Sequence, residues 1–375
     1  MEFRSLKSQY QAIKNEIDAA MSQVIAETNF ISGHQVTELE KELADYVGVK
    51  HCVTCANGTD ALSLALMVWQ IGPGDAVFVP DFTFFSSGEV VSFEGASPIF
   101  VDVDSETYNI HSGKLEEAIL RVLEEGRYTP KVIVAVDLFG QPADYVELRK
   151  IADKYDLMIL EDSAQGFGGS IGEKKTCSFG DISTTSFFPM KPLGCYGDGG
   201  AVFTDNDEWA DLLRSYKNHG KGSFKYDNVR IGMNSRLDTI QAAVLRAKLP
   251  HFSLYEIENI NKVAVLYTQQ LKDAVKVPVI KEGFLSSWAQ YTIQLPNEET
   301  RNGLQAYLKS KDIPTMIYYP KAMHDQLAFD TFEGDEEWLA ITSRLCRTVL
   351  SLPIHPYMKE EETLRVTKEI KNYLE

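Results

Sequence analysis

The sequence predicts an α/β protein: a mostly parallel, seven-stranded sheet flanked by helices, followed by a smaller C-terminal α+β domain. Three observations carry this. Short β-branched apolar runs without polar alternation recur up to residue 204, as expected of strands buried on both faces of a parallel sheet. Helical patterns lie between those runs, the mark of a chain that crosses from strand to strand through helices. After about residue 236 the texture changes to long helices with few strands. A chain of 375 residues also suits two domains, since single cores stop growing near 250–300 residues. The division is expected between a large domain, 1–245, and a small one, 246–375.

The elements follow in order. A helical pattern covers residues 7–27. A second helix after the Gly33 turn repeats Val36, Leu39, Leu43 and Tyr46 before Gly48 stops it. Strands are expected at 51–56, 76–80, 98–102, 132–138, 157–161, 183–187 and 201–204, with helices such as 59–70 and 113–125 between them. A long helical pattern then runs over roughly 236–273. Beyond it come a strand at 289–295, a helix at 301–311, a strand near 314–319, and helices at 335–347 and 359–374. In such folds ligands gather beyond the carboxyl ends of the strands.

Composition narrows the class. With 44% hydrophobic and 24% charged residues the chain is ordinary for a soluble globular protein, not a disordered or fibrous one. A net charge of −17 argues against a nucleic-acid partner, which needs a basic face, and against a polybasic membrane anchor. Five cysteines, an odd number, do not suit a disulfide framework. Cys52 and Cys55 form a C-x-x-C within a strand, without the second pair a zinc ribbon needs, so no metal site is expected. The polar N-terminus and the lack of a membrane-length apolar stretch point to a soluble, cytoplasmic protein.

Three stretches could carry chemistry. Ala56-Asn57-Gly58-Thr59-Asp60 ends a strand and opens a helix. Gly58 permits close backbone approach, Thr59 can cap the helix, and the free N–H groups of the first turn suit a phosphate or merely an ordinary N-cap. Asp162 follows a buried strand in LMILEDSAQGFGG. It could cap a helix, or serve as the carboxylate that keeps a pyridine-type cofactor protonated, with Gln165 in reach of a ring substituent. Gly166 and Gly168 are followed by Ile171 where a third glycine would be needed, so a nicotinamide fingerprint is excluded. Lys191 sits on a loop hemmed by Pro189, Pro192 and a glycine-rich turn, after an apolar Phe187-Phe188-Pro189-Met190 run. Lysines in loops are usually solvated; this setting would depress the pKa and free the amine as a nucleophile. Ser186 is a second candidate phosphate ligand.

Phosphate cap, carboxylate and buried lysine, in that order, are the layout of a fold-type-I pyridoxal-phosphate enzyme. Over nearly its whole length the chain resembles the DegT/DnrJ/EryC1/StrS family of nucleotide-sugar aminotransferases. The likeness rests on NFISGHQVTELEKELADYVG, ANGTDALSLAL, GPGDAVFVPDFTF, GASPIFVDVD, EDSAQGFG, SFFPMKPLGCYGDGGAVFT, GMNSRLDTIQAAVL and SLPIHPY. The lysine and GMNSR stretches look most like the branch that aminates C3 of a UDP-linked 2-acetamido-3-keto-hexuronic acid for O-antigen and lipopolysaccharide assembly.

The resemblance implies pyridoxal 5′-phosphate (PLP) as cofactor and assigns roles by position. Lys191 matches the cofactor-bearing lysine, Asp162 the partner of the ring nitrogen, and Gln165 the group near the ring hydroxyl. Gly58, Thr59 and Ser186 match phosphate ligands. Phe84 matches the aromatic that stacks on the ring, with a strand-end core residue as the alternative. Asn234 and Arg236 match residues that reach across a homodimer, the asparagine to the cofactor phosphate and the arginine to the substrate; Arg236 could equally form a surface ion pair. Tyr319 matches a sugar-nucleotide contact, with Tyr318 beside it. Relatives of that branch often carry His-Tyr-Pro where this chain has Tyr318-Tyr319-Pro320. A dTDP- or UDP-linked 3- or 4-keto-6-deoxyhexose is therefore the alternative acceptor. His324 and His355 read as structural or substrate-positioning. L-glutamate is the expected amino donor. A sugar dehydratase is the rival activity, disfavoured because dehydrating members replace the lysine. A non-catalytic regulator would need a DNA-binding module for which this sequence leaves no room.

Overall fold

The computed structural model of the chain describes residues 1–224, 226–329 and 336–375. The large sheet is built from β1 (His51–Cys55), β2 (Asp75–Pro80), β3 (Ser97–Val101), β4 (Thr129–Val136), β5 (Met158–Asp162), β6 (Ile182–Ser186) and β7 (Gly200–Thr204), in the order β1-β7-β6-β5-β4-β2-β3. All seven predicted strands are present. β7 alone runs against the rest: it pairs antiparallel with both β6 and β1, which leaves β1 pointing the same way as β2 to β6. The ends of β1, β2, β5 and β6 therefore open on one edge, and the candidate residues lie there.

The helices α1 (Leu6–Ala12), α2 (Lys14–Glu27), α3 (His34–Val47), α4 (Gly58–Val68), α5 (Ser86–Phe93), α6 (Ser112–Glu125), α7 (Tyr145–Tyr155) and α8 (Asp207–Tyr216) accompany the sheet. One apolar cluster joins α4 and α5 to Val77, Val79, Val132 and Val134; another joins α6 and α7 to Ala76, Phe78, Ile133 and Ala135. Consecutive strand residues thus feed opposite cores, which is why the strands read as unbroken apolar runs. Cys52 and Cys55, three apart on β1, are both buried in different clusters as free thiols.

Beyond the sheet, α9 (Thr239–His251) and α10 (Ile257–Leu271) lead to an antiparallel pair, β8 (Tyr291–Gln294) with β9 (Val349–Leu352), packed by α10, α11 (Glu298–Ser310) and α13 (Glu360–Leu374), while α12 (Ala340–Thr348) gives Leu345 and Cys346 to the large core.

Four expectations need correcting. The helix at 7–27 is two helices, because Ile13 leaves helical geometry (φ −125°, ψ 27°) to bury its side chain against Ile17 and Val244. The helix at 236–273 starts at Thr239 and carries a π turn at Phe252–Glu256. Pro250 lacks the N–H that would continue the ladder. Residues 314–319 form no strand: only Met316 pairs, with Ser351. Pro314 and Pro320 bracket the segment, and Ile317, Tyr318 and Tyr319 turn onto the large core. The partner of β8 is instead the four-residue β9. Residue 335, the expected start of the helix at 335–347, lies outside the described residues; a 3₁₀ turn at Glu336–Leu339 precedes α12.

Candidate active site

The phosphate-type corner forms where β1 meets α4. The cap of α4 is Asn57, not Thr59: its side chain accepts the Asp60 N–H at 2.8 Å. Asparagine is the better cap because its carbonyl reaches the third N–H from an extended backbone. Thr59 instead pairs its hydroxyl with Ser86 Oγ, 2.8 Å away at the start of α5. The N–H groups of Gly58 and Thr59 have no hydrogen-bond partner among the described residues. They are orphan donors of a helix start, the usual seat for an anion. Gly58 is required here: a Cβ would lie 2.8 Å from Ser186 Cβ. Ser186, at the end of β6, accepts the Phe188 N–H at 3.3 Å and so faces this corner.

The carboxylate comes from β5. Strand alternation sends Glu161 and Asp162 to opposite faces. Glu161 is fully buried and accepts from Ser163 and Ser183 and from the N–H groups of Cys177, Phe179 and Gly180; it is a structural node. Asp162, 5% exposed, faces the open edge. Its Oδ2 accepts from Ser87 Oγ at 2.8 Å and its Oδ1 from the Ala164 N–H at 3.1 Å. Ser87 is in turn 3.1 Å from the Thr83 hydroxyl. Sequence reasoning missed Ser87; the Ser86-Ser87 pair opening α5 was the available signal.

Around Asp162 the chain gathers aromatic and amide groups. Gln165 Oε1 accepts the Phe139 N–H at 2.8 Å, and its Nε2 donates to the Tyr319 hydroxyl at 2.9 Å. That contact spans both parts of the fold. Burial pushes the Tyr319 phenol well up, so it stays protonated. Phe84 is 54% exposed with its ring 6.3 Å from Tyr319, so it is no buried core residue within the chain. Tyr318 lies against Tyr319 at 5.8 Å.

Lys191 sits on the turn after β6, its main-chain N–H on the Phe188 carbonyl at 2.8 Å. Its amine has no hydrogen-bond partner among the described residues. Burial lowers its pKa; the Asp162 carboxylate pulls the other way and the Arg4 guanidinium adds to the lowering. The amine thus lies within the field of the Asp162 carboxylate. Two predicted residues are not drawn in: Asn234 is exposed and bridges Asn218 through its backbone, and Arg236, half-buried, has no hydrogen-bond or ion-pair partner among the described residues. His324 is held by Asp81, Nδ1 to Oδ2 at 2.6 Å and main-chain N–H to Oδ1 at 2.9 Å. His355 is buried with Nδ1 unpartnered.

An unpartnered lysine amine, a braced carboxylate and a helix start with unpaired N–H groups on one strand edge are the layout of a group-transfer enzyme that works through a bound cofactor. Comparison places it more closely. The chain belongs to the DegT/DnrJ/EryC1/StrS aminotransferase family, whose model matches residues 11–371. It is 43% identical over 361 residues to the UDP-2-acetamido-2-deoxy-3-oxo-D-glucuronate aminotransferase of Pseudomonas aeruginosa, covering 96% of each chain. Its fold superposes with a TM-score of 0.97 on a DegT DnrJ EryC1 StrS aminotransferase from Brucella abortus, 48% identical, covering 100% of this chain and 99% of that one. NtdA from Bacillus subtilis, solved with bound cofactor PMP, superposes at 0.88 with 29% identity, covering 99% of this chain and 83% of that one.

Proposed function

We propose that this aminotransferase moves an amino group from L-glutamate to C3 of a UDP-linked 2-acetamido-3-keto-hexuronic acid, making an amino-sugar for surface polysaccharide in the cytoplasm. The observation that carries the reading is the unpartnered Lys191 amine in the field of the braced Asp162. The 43% identity to the 3-oxo-glucuronate aminotransferase supports the acceptor.

The residues present fit PLP. The orphan N–H groups of Gly58 and Thr59, with Ser186, would hold a phosphate; Asp162 would hold a proton at a ring nitrogen; the exposed Phe84 ring and Gln165 would flank the ring. When bound, PLP supplies the electron sink and carrier for the amino group. Lys191, its pKa lowered by burial, would bear the cofactor and then move the proton from the α-carbon of the amino acid. The Gln165–Tyr319 bond would fix the small-lobe wall against which Tyr318 and Tyr319 receive the sugar nucleotide. Asn234 and Arg236 would complete a neighbouring site in a homodimer. That reading is supported by the unpaired Arg236 and by exposed Phe224, Val229 and Ile231, 74%, 54% and 89% exposed, on the loop leading to it. The two-domain division at 245/246, six residues before the π turn, belongs to the same proposal.

The test is incubation with glutamate and a panel of UDP- and dTDP-keto-sugars, with mass detection of product. Amination of the UDP-3-keto-uronate, abolished in Lys191→Ala, is expected. Preference for a 6-deoxy-keto-sugar would overturn the acceptor, and wild-type turnover by Lys191→Ala would overturn the mechanism.

A further inference from the structure

Behind the edge that carries Asp162, the interior holds two carboxyls joined by one hydroxyl. Asp137 follows β4; Glu161 lies on β5 just before Asp162, and Ser163 just after it. All three are fully buried. The Ser163 hydroxyl is within hydrogen-bond reach of both acids, of Glu161 Oε1 at 2.9 Å and of Asp137 Oδ2. A serine hydroxyl has one proton to give. It can serve only one of these oxygens, and the other contact sets two acceptors against each other unless the carboxyl itself carries a proton.

The remaining partners decide where that proton sits. Glu161 also accepts from the Ser183 hydroxyl and from the N–H groups of Cys177, Phe179 and Gly180. So many donors suit an anion. Asp137 Oδ1 accepts from the Ala143 N–H at 2.9 Å and the Tyr145 hydroxyl at 2.8 Å, whereas its Oδ2 meets only Ser163 among the described residues. Ser163 therefore donates to Glu161 and accepts from a protonated Asp137. The other titratable groups facing the pair are Tyr145, from α7, and Cys177, from the segment after β5; burial pushes both up, so neither adds charge. No cation pairs with either acid among the described residues, and burial together with the Glu161 charge pushes Asp137 well up. Two buried like charges without a cation are strongly disfavoured.

The trio lies directly beneath a turn of the candidate site. The Asp137 N–H donates to the Asp162 carbonyl at 3.1 Å, and the Ser163 carbonyl accepts the Gly166 N–H at 3.0 Å and the Phe167 N–H at 3.1 Å. Those bonds close the turn that presents Gln165. A Cβ on Gly166 would fall 2.4 Å from Asp137, so the acid packs against the turn itself.

We propose that Asp137 and Glu161 hold one proton between them across Ser163, and that this neutral acid and its anion are the positioning unit beneath the Asp162–Gln165 turn. The positioning role rests on the reading of Asp162 and Gln165 as cofactor contacts; the proton count does not. Losing the proton would leave a second buried charge with nothing to meet it.

Infrared difference spectra of the full-length protein in heavy water test the proton directly. At neutral pH wild type should show the C=O stretch of a protonated carboxylic acid, and Asp137→Asn should lose it. That substitution puts an N–H donor where the acid proton was and keeps an acceptor for Ala143 and Tyr145. Its affinity for PLP should stay within about twofold of wild type, while Asp137→Ala should bind roughly tenfold more weakly. The folded wild type keeps a proton that the unfolded chain releases near pH 4, so its stability falls as pH rises. Between about pH 5 and 7 the urea-unfolding constant of wild type, divided by that of Asp137→Asn, should climb roughly tenfold per unit. A wild type without the acid band, a band that survives in Asp137→Asn, or a flat ratio overturns the shared proton. Equal PLP affinities of Asp137→Asn and Asp137→Ala overturn the positioning role. Failure of the parent reading looks different: wild type would then not bind PLP, while the acid band would still be seen.

Discussion

Asp162 keeps its orientation through two donors, and only one of them is a side chain. Ser87→Ala should therefore loosen the carboxylate without disturbing the fold, since the lost hydrogen bond is worth about 1 kcal/mol. Titration of the apoenzyme with PLP should show binding weakened several-fold, with the unfolding midpoint in urea nearly unchanged. Gly58→Ala should act more severely, because its Cβ meets Ser186 Cβ at 2.8 Å and both groups line the same corner. Loss of PLP binding is expected, and binding at wild-type affinity would contradict the phosphate reading. His355 gives a pH dependence. Burial, aided by Arg4, lowers it from 6.5 to about 4. The unfolded chain takes up its proton near 6.5 and the folded chain only near 4, so stability falls as pH drops between those values. The full loss is about 3 kcal/mol. Urea unfolding at pH 7 and pH 5 should show wild type losing stability and His355→Gln losing less.

At the scale of elements, the sequence was most legible where one force dominates. Most strands of the large sheet could be read because both faces are buried, so they are apolar runs, whereas β6 (Ile182–Ser186) is buried yet mostly hydroxyl-bearing. Where local and tertiary demands compete, legibility failed. Ile13 breaks a good helical pattern to reach Val244, a contact 231 residues away (244 − 13) that no local period announces. Asn57 and Thr59 are both cap residues by type, and only backbone geometry decides between them. Asn57→Ala should cost about 1 kcal/mol, measured by thermal denaturation, and more than Thr59→Ala. The site residues of single elements, Asp162, Lys191, Ser186 and Gln165, could be named because strand ends collect chemistry. Ser87 could not, since its contact with Asp162 is made only on folding.

Across the whole molecule the parts meet at a few polar joints. Gln165 to Tyr319 is one, Phe3 to Ile354 a second, and Asp81 to His324 a third. Burial pushes Asp81 up and His324 pulls it back, so the carboxylate depends on its partner. His324→Ala should cost about 3–5 kcal/mol by stranding it, readable as a lower midpoint in urea. The net charge of −17 does not leave the lysine turn uniformly acidic, because the Arg4 guanidinium reaches the Pro192 carbonyl beside it.

The pairing of β1 also has a consequence for synthesis of the chain. Among the described residues its only neighbour is β7, with His51 opposite Thr204, 153 residues later (204 − 51). At typical translation rates of about 5–20 residues per second, β1 waits roughly 8–30 s for its partner. During that interval an apolar strand has an open edge, and the corner formed by Gly58 and Ser186 does not yet exist. Nascent chains shorter than about 200 residues should thus be unable to take up cofactor and should depend most on chaperones.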